Sequence, residues 1–180
     1  MSDQIIKILL TEDQIKNRVK ELGAKITNDY KDKKLLMVSV LKGSVIFMSD
    51  LMRAVDLKMR IDFMSVSSYF GGTKSTGVVK FLKDLDMDIA GKDVLIVEDI
   101  LDSGLTLNYL KNLLLHRNPR SIKIVTLLDK AEKREVDIKA DYVGFNIPDE
   151  FVIGYGLDYD EEYRNLPYIG ILNLDGESSN

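Results

Sequence analysis

The sequence predicts an α/β domain built on a largely parallel sheet, and three observations carry that expectation. Strand-like and helix-like patterns alternate along the 180 residues, the order that joins parallel strands through helical crossovers. Two strand candidates, Leu35-Leu36-Met37-Val38-Ser39-Val40 and Val94-Leu95-Ile96-Val97, are nearly unbroken apolar runs, as strands covered on both faces require. The second of them leads into an acidic segment and then a helix start, the place where open α/β sheets bind ligands.

The first helix opens on Thr11-Glu12-Asp13-Gln14, a capping box, and continues with apolar Ile15, Val19, Leu22 and Ile26 on one face. It is expected to end near Gly23 or somewhat beyond. After the strand at Leu35 to Val40 the chain breaks at Leu41-Lys42-Gly43-Ser44. A second helical face, Val45, Met48, Leu51, Met52 and Val55, then leads to a strand at Ile61 to Val66. Residues 67–77 are rich in glycine and small side chains without periodicity, so they read as a mobile loop of the kind that forms lids. Further strands are expected at Val78 to Leu82, Val94 to Val97, Ser121 to Leu128, Tyr142 to Phe145 and Phe151 to Tyr155, with a helix from Thr106 through Leu115. Gly176 to Asn180 reads as a loose tail.

Composition narrows the chemistry. Forty-five per cent apolar residues suffice for one core, so residues 1–180 are read as a single domain. With no cysteine and one histidine, His116, thiolate and histidine metal sites are excluded, and a bound metal must rest on carboxylates, which favours Mg²⁺. The 25 basic and 29 acidic residues form no long block of either sign, and the net charge is −4, a balance that does not point to nucleic acid or a membrane surface. No apolar run approaches the roughly 20 residues of a membrane span, and Met1-Ser2-Asp3-Gln4 is not the start of a signal sequence. A cytoplasmic protein is expected.

The chemistry concentrates in Glu98-Asp99-Ile100-Leu101-Asp102 followed by Ser103-Gly104-Leu105-Thr106. A glycine, two hydroxyls and the free N–H groups of a helix start suit a phosphate. The adjacent carboxylates would repel that phosphate and suit ribose hydroxyls or a bridging Mg²⁺. An acidic turn that merely caps a helix is the alternative. No P-loop and no dinucleotide fingerprint occurs in the chain.

Val97 to Thr106 resembles the phosphoribosyl pyrophosphate (PRPP) signature of the type I phosphoribosyltransferases. Within that family the chain is similar to the hypoxanthine-guanine phosphoribosyltransferases from about Leu9 to Leu172. The likeness runs through Leu41-Lys42-Gly43-Ser44, Ser68-Tyr69, Leu128-Asp129-Lys130, the segment Phe151 to Tyr159, and Arg164. It implies that family's fold, with a small hood contributed by the N-terminal residues and by about 145–175, and a flexible lid over about 67–77. It also implies Mg²⁺-dependent transfer of a 5-phosphoribosyl group from PRPP to hypoxanthine or guanine, by a homodimer or homotetramer.

The resemblance further assigns roles. Asp102 is the general base for the purine. Glu98 and Asp99 hold ribose hydroxyls and the metal, and Ser103, Gly104, Leu105 and Thr106 wrap the 5′-phosphate. Lys42, Gly43 and Arg164 bind pyrophosphate, the first two beside a cis Leu41-Lys42 peptide. Lys130, Phe151, Val152 and Asp158 surround the purine, Asp158 also supporting a second Mg²⁺, and Ser68 and Tyr69 belong to the lid. The residues alone read more plainly. Lys42-Gly43 is an ordinary turn, Lys130 a solvated charge, Phe151 core, Asp158 one acid in an exposed run, and Asp102 a helix cap. Asp129-Lys130-Ala131 lacks the proline or second basic residue often found near the family's purine lysine, which leaves the loop path open. The other functional reading is a regulator that senses PRPP or a nucleotide without catalysis.

Overall fold

The computed structural model describes the backbone of residues 5–71 and 74–173, and the side chains of residues 7–66 and 80–173. Among the described residues nine strands and three α-helices follow in the order β1 (Ile5–Leu10), α1 (Glu12–Asp29), β2 (Leu35–Leu41), α2 (Val45–Ala54), β3 (Arg60–Gly71), β4 (Lys74–Lys83), β5 (Asp93–Leu101), α3 (Leu105–Leu115), β6 (Ser121–Asp129), β7 (Tyr142–Asn146), β8 (Val152–Ile153) and β9 (Ile169–Leu172). The main sheet has the order β4-β3-β2-β5-β6-β7, parallel except for the antiparallel edge strand β4. A second sheet, β1-β9-β8, is antiparallel and joins the two ends of the chain.

The unbroken apolar runs divide by alternate residues between two cores, as the period of a strand dictates. Leu35, Met37, Leu95 and Val97 face α1 and α2, which supply Ile15, Val19, Leu22, Ile26, Phe47 and Leu51. Leu36, Val38, Val40, Val94 and Ile96 face α3, which supplies Leu107, Leu110 and Leu114. Burying both faces fixes the register, because a one-residue slip would exchange the two sets.

The capping box of α1 forms, with Thr11 Oγ accepting from Gln14 N at 3.3 Å and Gln14 Oε1 accepting from Thr11 N at 2.8 Å. The helix runs past Gly23 to Asp29, because that glycine serves packing: a Cβ there would lie 2.5 Å from the Ala54 carbonyl oxygen at the end of α2.

Three expectations are corrected. The expected loop at 67–77 is a hairpin, with strand backbone on both sides of 72–73, which fall outside the described residues together with the Ser68 and Tyr69 side chains. Backbone pairing between β3 and β4 holds it despite the small side chains. The expected strand from Phe151 to Tyr155 shrinks to Val152–Ile153, since Gly154 (φ 94°) and Tyr155 (φ 51°) turn out of extended geometry. β1 and β9 were not expected at all; each is short, and each pairs with the far end of the chain. The expected leader-free start at 1–4 and the tail at 176–180 lie outside the described residues.

Asp93, at the start of β5, is buried and accepts from Arg120 Nε at 2.9 Å and from Ser121 Oγ at 2.7 Å. The Arg120 guanidinium outweighs desolvation and holds this carboxyl below the usual range. A depressed folded-state value adds stability above the unfolded pKa of about 3.9, and that stability is lost as pH falls through the folded value. Arg120 is half exposed, so Arg120→Gln is expected to lower stability modestly at neutral pH and not in acid. Urea unfolding should show the two proteins converging in acid, and an offset independent of pH would contradict the pairing.

Candidate active site

The carboxyl end of the parallel sheet opens into a cavity of about 260 Å³ between the β2–α2 turn and the β5–α3 turn. Leu41 and Gly43 line one side, and Glu98, Asp99, Asp102, Ser103, Gly104 and Thr106 line the other. The β2–α2 turn touches the end of β5: a Cβ on Gly43 would overlap the Asp99 carboxylate, so glycine suits this approach. The Leu41-Lys42 peptide is cis.

Glu98 and Asp99 lie within β5, whose pairing with β6 continues to Leu101 and Asp129, so these acids sit on a strand and not in a turn. Desolvation raises the Glu98 carboxyl well above its ordinary value, with the neighbouring Asp99 charge adding to it. Asp99 is pushed up to about 6, chiefly by desolvation, although its Oδ1 accepts from Ile100 N at 2.8 Å. The Arg164 guanidinium lowers and the Asp158 carboxylate raises that value to a smaller extent.

α3 begins at Leu105, and its N-cap residue Gly104 lies in the left-handed region at φ 81° and supplies no side-chain cap. Asp102 therefore does not cap the helix. Its Oδ1 is buried and accepts no hydrogen bond among the described residues. Ser103 Oγ accepts only a long bond of 3.4 Å from Leu105 N. The result is an uncapped helix start with hydroxyls beside it, next to an unsatisfied acceptor.

One residue that the sequence reading passed over organises this turn. Arg134 donates from one guanidinium nitrogen to the Asp102 carbonyl and from the other to Asp129 Oδ1, while Glu135 N donates to the Ser103 carbonyl at 3.0 Å. The charged stretch Asp129 to Arg134 was visible, but a 3-10 turn at Ala131–Lys133 is needed to bring its two ends together.

Lys130 follows β6 and is buried rather than solvated, its N–H donating to the Leu101 carbonyl at 3.0 Å. Its ammonium stands 3.8 Å from Asp149 Oδ1, outside hydrogen-bond range. Phe151 is 39% exposed, so it is not core, and it meets Tyr159 edge-on at 5.7 Å. Val152 is buried in β8.

Beyond β8 the chain folds back, with Tyr155 N donating to Leu166 O at 2.8 Å and Gly156 N to Arg164 O at 2.9 Å. Arg164 donates to the Gly156 carbonyl at 2.8 Å and pairs with Asp158 Oδ1 at 3.0 Å, while its buried Nε has no acceptor among the described residues. Glu161, also passed over, joins Lys42 Nζ at 2.9 Å and Arg164 at 3.3 Å, and those cations hold its carboxyl below the usual range.

The residues suit Mg²⁺ unequally. Glu98 has no hydrogen bond or ion pair among the described residues, and its raised carboxyl together with that of Asp99 would be relieved by a divalent cation. Asp158 is engaged at both oxygens, by Arg164 and by Glu161 N at 3.0 Å. Among the described residues no three acids converge.

Comparison with known proteins places this geometry in context. The phosphoribosyl transferase domain family matches residues 6–160. The chain is 56% identical to the hypoxanthine-guanine phosphoribosyltransferase of Bacillus subtilis (strain 168) over 172 residues, 96% of each chain. It is 58% identical to that of Staphylococcus aureus (strain N315), again over 96% of each chain. Among solved structures, a hypoxanthine phosphoribosyltransferase from Staphylococcus aureus superposes with a TM-score of 0.95 at 56% identity, covering 98% of this chain and 96% of that one.

Proposed function

The chain belongs to the phosphoribosyltransferase family, in its hypoxanthine-guanine branch, and on that premise we propose how its residues divide the work of purine salvage. The enzyme transfers the 5-phosphoribosyl group of PRPP to hypoxanthine or guanine, giving IMP or GMP and pyrophosphate. The purine N9–C1′ bond forms, the bond from C1′ to pyrophosphate breaks, and the purine loses a proton.

The observation that carries the assignment is the buried, unpartnered Asp102 Oδ1. An acceptor without a donor is costly, and a purine N7–H supplies the donor and then the proton. The 5′-phosphate docks on Ser103, Gly104, Leu105 and Thr106, where the uncapped start of α3 offers N–H groups and a favourable dipole. Glu98 and Asp99 hold the ribose hydroxyls and Mg²⁺. When bound, that ion neutralises charge on the departing pyrophosphate.

Lys42 and Gly43 present backbone groups to pyrophosphate, and Arg164, turning from Asp158 toward it, frees Asp158 for a second Mg²⁺. Lys130 donates to the purine O6, which favours a 6-oxo over a 6-amino base because an ammonium only donates. Phe151 stacks on the ring, and Val152 meets its edge through the backbone. Residues 67–77, with Ser68 and Tyr69, close over the site and exclude water, and the second sheet with residues 145–175 forms the hood. The enzyme works in the cytoplasm as a homodimer or homotetramer. Among the described residues no helix is long and apolar enough to cross a membrane.

The test is turnover with PRPP and Mg²⁺ on hypoxanthine, guanine, xanthine, adenine and uracil, followed by absorbance. Hypoxanthine and guanine should react, and silence with every purine would leave the sensor reading in its place. Lys130→Ala is expected to raise the purine KM by about tenfold or more, the loss of a charge-assisted hydrogen bond of about 1.5–3 kcal/mol, with the KM for PRPP unchanged. Equal changes in both constants would remove Lys130 from the purine site.

A further inference from the structure

At the opposite end of the same strands lies a second cavity, of about 510 Å³, before β2, β3 and β5. Lys33, Lys34, Lys58, Arg60 and Lys92 ring it, with the half-buried Met59 as its apolar floor. β2 alone, at seven residues, separates the two cavities by about 20 Å.

In a chain of net charge −4, a cavity lined by five cations and no carboxylate is a local reversal of sign. Among the described residues none of the five takes part in an ion pair. Their other contacts are weak or neutral. Lys33 lies 5.2 Å from the Tyr30 ring centroid, Arg60 reaches Met87 Sδ at 4.0 Å, and Lys92 Nζ donates to the Asp88 carbonyl.

The neighbouring acids are committed elsewhere. Asp93 is held by Arg120 and Ser121, Asp88 Oδ1 accepts from Ala90 N at 3.0 Å, and Asp62 accepts from Phe63, Asp86 and Met87 N–H groups. The fold thus gathers positive charge from three separate connections and neutralises it by no ion pair among the described residues, Asp93 acting on Lys33 only at longer range. Like charges so gathered repel one another, and an anion bound among them would reverse the sign of that interaction.

We propose that this cavity is a second ligand site, distinct from the transferase site, and that it takes a small molecule carrying several phosphates, of the nucleoside polyphosphate class. The lysines and the Arg60 fork receive the phosphates. The half-buried Met59 side chain receives the ring system. The volume falls in the range of small-molecule pockets.

Lysine acetylation footprinting by mass spectrometry tests this, with inorganic tripolyphosphate and Mg²⁺-free ATP as separate probes. Lys33, Lys34, Lys58 and Lys92 should be protected together, while the exposed Lys20 and Lys139 stay reactive. ATP should protect at lower concentration than tripolyphosphate, because only ATP uses the apolar floor. The triple variant Lys34→Gln, Arg60→Gln, Lys92→Gln should lose protection of Lys58 and bind either probe about tenfold or more weakly by calorimetry, with parental kcat and unfolding midpoint. Uniform protection of all surface lysines, or unchanged affinity in the triple variant, would overturn the site without bearing on the transferase activity.

Discussion

Asp102→Asn is expected to lower kcat by about 10²–10⁴-fold, the contribution of a positioned general base, while PRPP binding stays near the parent value. The substitution keeps the size of the side chain and removes its ability to take a proton. It cannot act through the helix cap, because the N-cap of α3 is Gly104 and Asp102 makes no cap. Nor should it unfold the turn, which Arg134 grips through the Asp102 carbonyl rather than the carboxylate. The unfolding midpoint is therefore expected to hold or rise slightly, since a buried acceptor without a partner is replaced by an amide that can also donate. A base also leaves a chemical signature. With an 8-aza 6-oxopurine, whose ring N–H is more acidic, the gap between parent and variant should narrow. A kcat close to parent, or a gap indifferent to acidity, would assign the proton to another group.

Gly156→Ala should have the largest effect on stability. Gly156 has φ 102°, a conformation that L side chains rarely adopt, and a Cβ there would overlap the Gly43 carbonyl oxygen. The strained backbone alone is worth about 1–2 kcal/mol. The overlap adds to it, because the obstructing atom is backbone and cannot rotate away. Together these give about 3 kcal/mol, or a drop in Tm of roughly 6–12 °C for a chain of this size. Gly91→Ala is the matched control: its φ is also positive, at 68°, but no atom lies within 4 Å of the added Cβ. Comparable melting of the two variants would show that the contact between Gly156 and Gly43 is not tight in solution. If the alanine protein folds, relief of the overlap moves Arg164, held by Gly156 through two hydrogen bonds, away from the β2–α2 turn. The KM for PRPP should then rise more than the KM for the purine.

Both variants depend on features that differ in how far the sequence discloses them. The proposed phosphate cradle was readable because strand, glycine, hydroxyls and helix start are neighbours in the chain. The capping box of α1 and the apolar runs of β2 and β5 were readable for the same reason, since each pattern is written within one turn or one strand. The hairpin β3–β4 was misread as a loop because serine and glycine carry little strand preference of their own. β1 and β9 escaped because two strands at opposite ends of the chain pair only once the domain has closed.

The residue readings that the tertiary structure reversed share one cause. Lys130 seemed solvated from its charged neighbours, and Phe151 seemed core from its aromatic ring, yet the first is buried and the second half-exposed. Burial is set by what packs around a residue, and for both those neighbours come from distant segments. The sequence by itself determined the α/β class, the two-sided burial of the central strands, and the order of strand, acids, glycine, hydroxyls and helix start from β5 to α3, all of which follow from local periodicity and local chemistry. Only the tertiary structure decided that Asp102 Oδ1 lacks a partner and that Gly43 meets both Asp99 and Gly156. It alone brought five cations from three connections around one cavity, because each of these is a distance between residues far apart in the chain.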